Sequence, residues 1–272
     1  MIVFSHANSY SASTYRQLFD GWRAAGHEVA AVEHFGHDAR FPVDRRWHGM
    51  TQQLIALIDT LPQARVWLVG HSMGGYLNLL AAGQRPARVR GIVLLDSPIV
   101  YGWKSGLVSV VKAVGQMERV SPAAVAVKRR DRWPDLCEAH GHFAAKPMFA
   151  RWHPEVLKDY IHHGTEIDPA DSSGAGRRLK FRPAIEAEIY ATVPHRLVPY
   201  LRLHPPGGPV AFVAGTHARE VRQVGLAATQ RLTQGRVSWI EGSHLFPFEH
   251  PEQTVCEVLR WMERLDASRD AP

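Results

Sequence analysis

The stretch that decides the fold reads Val66-Trp67-Leu68-Val69-Gly70-His71-Ser72-Met73-Gly74-Gly75-Tyr76. The apolar run Val66 to Val69 has the length and composition of a buried strand. A Gly-x-Ser-x-Gly turn follows at once, and helical spacing then runs from Met73 to Ala82. Strand, sharp turn and helix in that order is the context in which such a turn carries a nucleophile. A turn this tight forces Ser72 into a strained backbone conformation. Gly70 and Gly74 are needed because a side chain at either would meet the neighbouring strand or helix. Ser72 is then presented at the top of a sheet, at the start of a helix.

Outward from this stretch, strand and helix patterns alternate at both ends of the chain. Ile2–Ser5 and His27–Val32 read as strands, and Trp47, Met50, Leu54, Leu57, Ile58 and Leu61 follow helical spacing. Gly91-Ile92-Val93-Leu94-Leu95-Asp96 reads as a buried strand ending in an acid. Later come a strand at Val210–Ala214, a helix over Glu220–Gln234 closed by Gly235, and a strand at Arg236–Ile240. Val255, Val258, Leu259 and Met262 mark a final amphipathic helix, beyond which the chain after Leu265 is polar. Short apolar strands between helices predict an α/β fold: a mostly parallel sheet of about six strands, with helices on both faces.

The middle breaks the alternation. Between Ser97 and Gly208 the patterns are helical, as at Val156, Leu157, Tyr160 and Ile161, and Pro and Gly interrupt them often. A structureless excursion of that length is uncommon in a compact domain. The sequence therefore predicts a core of residues 1–97 and 208–272, with residues 98–207 inserted as a helical cap.

Composition excludes several classes. The 272 residues are 45% hydrophobic with a formal charge of +6. The basic clusters Lys128-Arg129-Arg130 and Arg177-Arg178 are interrupted by acidic or apolar neighbours, which argues for a solvated cationic face and against nucleic acid. No apolar run approaches eighteen residues, so no membrane span is expected. Two cysteines make no disulfide framework, and Cys256 reads as a small core residue. Met1-Ile2-Val3-Phe4 runs straight into Ser5 and His6 with no secretory signal, so a cytoplasmic location is expected. The expected partner is a small-molecule substrate. Oligomeric state is not legible.

A serine hydroxyl needs a base to take its proton and a third group to orient that base. Among sixteen histidines, His244 stands out by position. Glu241-Gly242-Ser243-His244-Leu245-Phe246 follows the last strand and precedes the last helix, at the sheet edge where open α/β sheets bind ligands. Acyl transfer also needs donors for an oxyanion. The main-chain N–H of Met73 is one candidate, and that of Asn8, in Phe4-Ser5-His6-Ala7-Asn8-Ser9, is the other. The Asn8 side chain is a candidate to assist there and to close an Asx-type turn, and the two are compatible.

These segments together resemble the α/β-hydrolase fold superfamily, in its capped, serine-nucleophile, esterase-like branch. The resemblance rests on His6-Ala7-Asn8, with Ala in the usual Gly place of the oxyanion loop, and on the elbow Gly70-His71-Ser72-Met73-Gly74-Gly75. It rests further on Gly242-Ser243-His244 with Phe246-Pro247-Phe248-Glu249-His250-Pro251, and on Gly36-His37-Asp38. It implies that the chain starts at the family's third strand, without the first two. It implies an acyl-enzyme mechanism on esters, with carbon–carbon hydrolysis or thioester cleavage as near alternatives and no cofactor. Haloalkane dehalogenases and epoxide hydrolases of this fold attack with Asp, which Ser72 excludes. A hydrolase fold kept as a non-catalytic ligand sensor is the alternative of another class.

The acid departs from the family's usual place. The turn that would carry it reads Gly215-Thr216-His217-Ala218-Arg219-Glu220, with Ala218 at the expected position. Some members place the acid after the strand that follows the elbow helix, where Leu94-Leu95-Asp96-Ser97-Pro98 stands. Asp96 is therefore assigned, with Glu220 as the alternative. His162-His163 and His140-Gly141-His142 lack further ligands at useful spacing and read as surface histidines, not metal ligands. Tyr101, Trp103, Phe143, Phe149, Trp152 and Tyr190 are candidates for a pocket lining or for the cap's own core. Arg and Lys of the cap are candidates for holding a substrate carboxylate.

Overall fold

The computed structural model describes residues 1–100 and 129–270. Six parallel strands form the main sheet: β1 (Ile2–Ser5), β2 (Val29–Ala31), β3 (Val66–His71), β4 (Val89–Leu95), β8 (Val210–Gly215) and β9 (Val237–Ile240). Their order is β2-β1-β3-β4-β8-β9. The numbers between β4 and β8 belong to short strands of the insertion.

Why these strands read as unbroken apolar runs is visible in how they pack. Ile2, Phe4, Trp67, Val69, Val93, Leu95, Ala211 and Val213 point to one face, where α1 (Arg16–Ala24) meets the C-terminal helix Pro251–Asp270. Val3, Val66, Leu68, Ile92, Leu94, Val210 and Phe212 point to the other, under α2 (His48–Thr60) and α3 (Met73–Gln84). Alternate residues thus fill two cores, one on each face of the sheet.

The chain runs from β1 outward to β2, then returns to place β3 on the other side of β1. That reversal opens a crevice at the C-terminal ends of β1 and β3. The loop after Ser5 and the turn at Ser72 flank it.

The insertion carries α4 (Leu136–Ala144), α5 (Pro154–Gly164), α6 (Pro183–Thr192) and α7 (Leu197–Leu203). It also holds a small antiparallel sheet, which the helical reading of this segment lacked: β5 (Arg132–Trp133), β6 (Thr165–Ile167) and β7 (Arg177–Leu179). These strands are two or three residues long, too short for a period of two to register. The insertion is tied to the core by Arg16 donating to Asp159 at 2.8 Å and by the rings of Trp152 and Phe248, 4.5 Å apart.

Two local expectations are corrected. The helix expected over Glu220–Gln234 is two short ones, α8 (Arg219–Val224) and α9 (Ala227–Thr233), because Gly225 turns at φ +81° between them. Cys256 is exposed, since its helix α10 (Pro251–Asp270) buries the face of Val255, Val258 and Met262 instead. Among the described residues no helix is long and apolar enough to cross a membrane.

Candidate active site

Ser72 sits between β3 and α3 at φ 53°, ψ −114°, a conformation a non-glycine residue holds at a cost of about 1–3 kcal/mol. Close packing imposes it. A Cβ on Gly74 would stand 1.9 Å from the Ser5 carbonyl oxygen, and one on Gly70 2.6 Å from the carbonyl carbon of Gly74. The Ser72 N–H donates to the Leu95 carbonyl at 2.9 Å, tying the turn to the end of β4. Met73 opens α3, so its N–H lacks an acceptor within the helix.

Three of the expected side chains meet. Ser72 Oγ lies 3.0 Å from His244 Nε2, and His244 Nδ1 lies 2.6 Å from Asp96 Oδ2. The other carboxylate oxygen of Asp96 accepts from the Gly215 N–H at 2.9 Å. Asp96 is fully buried and takes φ +43° at the end of β4. Burial pushes its carboxyl above the usual carboxylate range, while hydrogen bonds from His244 and Gly215 restrain the rise. Burial also pushes His244 down, but the hydrogen bond and charge of Asp96, with Glu220 behind, outweigh it and hold the imidazole above its ordinary value. Glu220 Oε2 stands 3.7 Å from His244 Nδ1 and is half exposed. Asp96 therefore makes the hydrogen bond, and Glu220 contributes charge.

Asn8 reaches the same crevice on the loop after β1, but its side chain is occupied elsewhere. Its amide donates to the Glu186 carbonyl at 3.1 Å and its oxygen accepts from the Ser9 N–H at 3.0 Å. The Asn8 side chain is thus engaged by Glu186 and Ser9. Ser9, held at φ +80°, donates its hydroxyl to Glu186 Oε1 at 2.5 Å. Glu186 Oε2 accepts from Arg129 at 3.1 Å, and Arg129 also donates to the Tyr160 hydroxyl. Residues of the insertion thus grip the loop that offers Asn8.

Four further residues hold the site and escaped the reading of the sequence. His71 Nε2 donates to the His244 carbonyl at 2.8 Å, and its Nδ1 accepts from the Tyr15 hydroxyl at 2.7 Å. The Tyr15 oxygen in turn accepts from the Ala7 N–H at 3.1 Å. Burial, then the neighbouring charge of His244, holds His71 well below its ordinary pKa, so it stays neutral as this chain requires. Glu249, buried, accepts from the Ser243 N–H at 2.8 Å and its hydroxyl at 2.7 Å, bracing the residue before His244. The signal for Glu249 lay in the segment after His244; none existed for Tyr15 or Glu186, which act across the fold.

Asp96, Glu220 and His244 each bring a donor atom within 4.8 Å of the others. His244 Nδ1 is already spent on Asp96, so this trio fits a hydrogen-bonded relay better than a metal site. His140 and His162 are exposed. Phe143, Phe149 and Trp152 pack with Tyr160 in the insertion's own aromatic cluster. Tyr101 and Trp103 lie outside the described residues.

Known proteins agree with this architecture. The chain is 34% identical over 137 residues to an sn-1-specific diacylglycerol lipase of Mus musculus, covering 48% of this chain and 44% of that one. It is 29% identical over 129 residues to a monoglyceride lipase of Rattus norvegicus, covering 45% and 43%. The chain thus spans less than half the length of these curated relatives. The crystal structure of E-2-(acetamidomethylene)succinate hydrolase superposes with a TM-score of 0.72 at 21% identity, over 97% of this chain and 91% of that one. The model of the alpha/beta hydrolase family matches residues 2–258, and the chain belongs to that family.

Proposed function

We propose that the protein is a cofactor-free serine hydrolase cleaving small or medium carboxylic esters through an acyl-enzyme. The observation that carries this reading is the unbroken chain from Asp96 through His244 to Ser72, at 2.6 and 3.0 Å. His244 Nε2 takes the Ser72 proton as Oγ attacks the ester carbonyl, and returns it to the leaving alcohol. Asp96 fixes the tautomer that leaves Nε2 bare and favours the imidazolium that forms. The main-chain N–H groups of Met73 and Asn8 stabilise the oxyanion. Water then repeats the sequence on the acyl-enzyme. The lipases among the relatives support an ester as the bond cleaved.

The reading is tested with p-nitrophenyl esters from acetate to octanoate, with a thioester alongside, read as kcat/KM. Saturable turnover of an ester is expected, falling by at least about a thousandfold in Ser72→Ala. No turnover of any ester, or turnover that Ser72→Ala retains, contradicts it.

A further inference from the structure

A cavity of about 780 Å³ opens at the seam between the insertion and the core. Its core wall is His34 and His37, after β2. Its insertion wall comes from the segments around residues 129–132 and 178–184, with Glu166. Five of the lining side chains are cationic and two are carboxylates.

What matters is which cations are already spent. Arg178 donates to Glu166 at 2.8 Å, Arg132 donates to Asp168, and Arg129 donates to Glu186 at 3.1 Å. Asp131, the other carboxylate of the wall, lies in the field of Arg132. Lys180 and Arg182 are left without an ion pair among the described residues, each on the wall of a concave space.

Lys180 bears on His34 and Arg182 on His37. Burial is the main cause that pushes His34 down to about 4 and lowers His37, so both rings are neutral near pH 7. His34 Nε2 is buried with no hydrogen-bond partner. The seam is also fixed in shape: the Arg182 N–H donates to His37 Nε2 at 3.0 Å, and the His37 and Phe181 rings lie 4.5 Å apart. Two cations without an ion pair among the described residues, beside neutral rings in a preformed hollow, present a positive field to that space.

We propose that this cavity binds an anion, the carboxylate or phosphate group of a small molecule, with Lys180 and Arg182 as its ligands. The anion has two sources: the acidic end of the substrate itself, or a separate small anion. Either would act next to the reaction machinery. Arg129 lines the cavity, and its partner Glu186 holds Ser9 at 2.5 Å and Asn8 at 3.1 Å. The site rests on charge and shape, and does not depend on the ester reading.

The test has a binding arm and a kinetic arm. Succinate and inorganic phosphate are titrated calorimetrically against the full chain, with chloride at matched ionic strength as reference. At least one should bind more tightly than chloride. Affinity should fall by about tenfold or more in Lys180→Gln/Arg182→Gln and persist in the charge-conserving Lys180→Arg/Arg182→Lys. In the kinetic arm, kcat/KM for the mono-p-nitrophenyl ester of succinic acid is divided by that for p-nitrophenyl butyrate. A ratio above one that collapses in the Gln pair assigns the site to the substrate's own acid. A ratio that does not move while an anion binds assigns it to a separate anion. Anion binding without turnover of any ester sustains this site and counts against the ester reading alone. The proposal is overturned if neither anion binds better than chloride, or if the Gln pair binds as the wild type does.

Discussion

His71 Nε2 stands 2.8 Å from the carbonyl oxygen of His244, and this contact fixes the protonation of everything behind it. A carbonyl only accepts, so Nε2 carries the proton and Nδ1 is bare. Nδ1 must then accept from the Tyr15 hydroxyl, whose oxygen accepts from the Ala7 N–H. One buried chain of hydrogen bonds therefore runs from the loop of Asn8, through the elbow, to the loop of His244. Tyr15→Phe keeps the ring and breaks two of the three links. Leaving buried polar groups unpaired costs about 1–3 kcal/mol. We expect kcat to fall by about ten- to a hundredfold with KM within about threefold. Steady-state kinetics on an ester check this; a change confined to KM would contradict it.

Asp96→Asn should be far more damaging. The amide cannot hold His244 in the tautomer that leaves Nε2 free. A loss of about 10⁴ in kcat is the expected scale, by analogy with the same change in a serine protease. A mild Asp96→Asn with a crippling Glu220→Gln would transfer the acid's role to Glu220.

Glu220→Gln should leave kcat within about threefold but move its pH profile. Glu220 is one of the groups raising His244, and the base works only when neutral. Activity rises as pH climbs through the His244 pKa. Removing a carboxylate that raises this pKa shifts the acid limb to lower pH. A kcat–pH curve that does not move would show that Glu220 is not felt at the ring.

Gly74→Ala tests the packing that strains Ser72. The new Cβ would fall 1.9 Å from the Ser5 carbonyl oxygen and 2.4 Å from its carbon, both backbone atoms that cannot swing away. Overpacking of this kind costs about 1–3 kcal/mol or more. A melting temperature lowered by several degrees, with activity lost, is expected. An unchanged melting curve would contradict the close approach of β1 and α3.

Buried neutral histidines predict how stability follows pH. Burial lowers His6 to about 3, His34 to about 4, and His71 below its ordinary value. Above the unfolded pKa of about 6.5, these rings are neutral in both states and their contribution is complete. Below it the unfolded chain takes up protons that the folded one refuses, so stability is lost as pH falls. Asp96, raised by burial, and His244, raised by Asp96, work the other way but are two groups against three. Thermal denaturation should show a flat melting temperature from pH 7 to 8 and a decline between about 6.5 and 4.5. A rise over that range would contradict the neutral assignment.

What the sequence revealed follows from range. The elbow is local, so its strand, turn and helix could be read from eleven consecutive residues. His244 and Asp96 could be read because each follows a strand at the same sheet edge. Tyr15 and Glu186 were invisible because their partners lie far off in the chain: His71 is 56 residues from Tyr15, and Ser9 is 177 from Glu186. Gly225 was hidden inside a helical periodicity that its positive φ interrupts. Cys256 was misread because a cysteine next to Val255 looks apolar, although one residue along a helix turns about 100° away from the buried face.

The central claim is that Ser72 is an activated nucleophile. Intact-mass analysis after exposure to a fluorophosphonate tests it most directly, on the wild type, Ser72→Ala and His244→Ala. A single adduct is expected on the wild type, mapped to Ser72, with none on Ser72→Ala and strongly slowed labelling of His244→Ala. A wild type that stays unlabelled, or a Ser72→Ala protein labelled at the same rate, would contradict it.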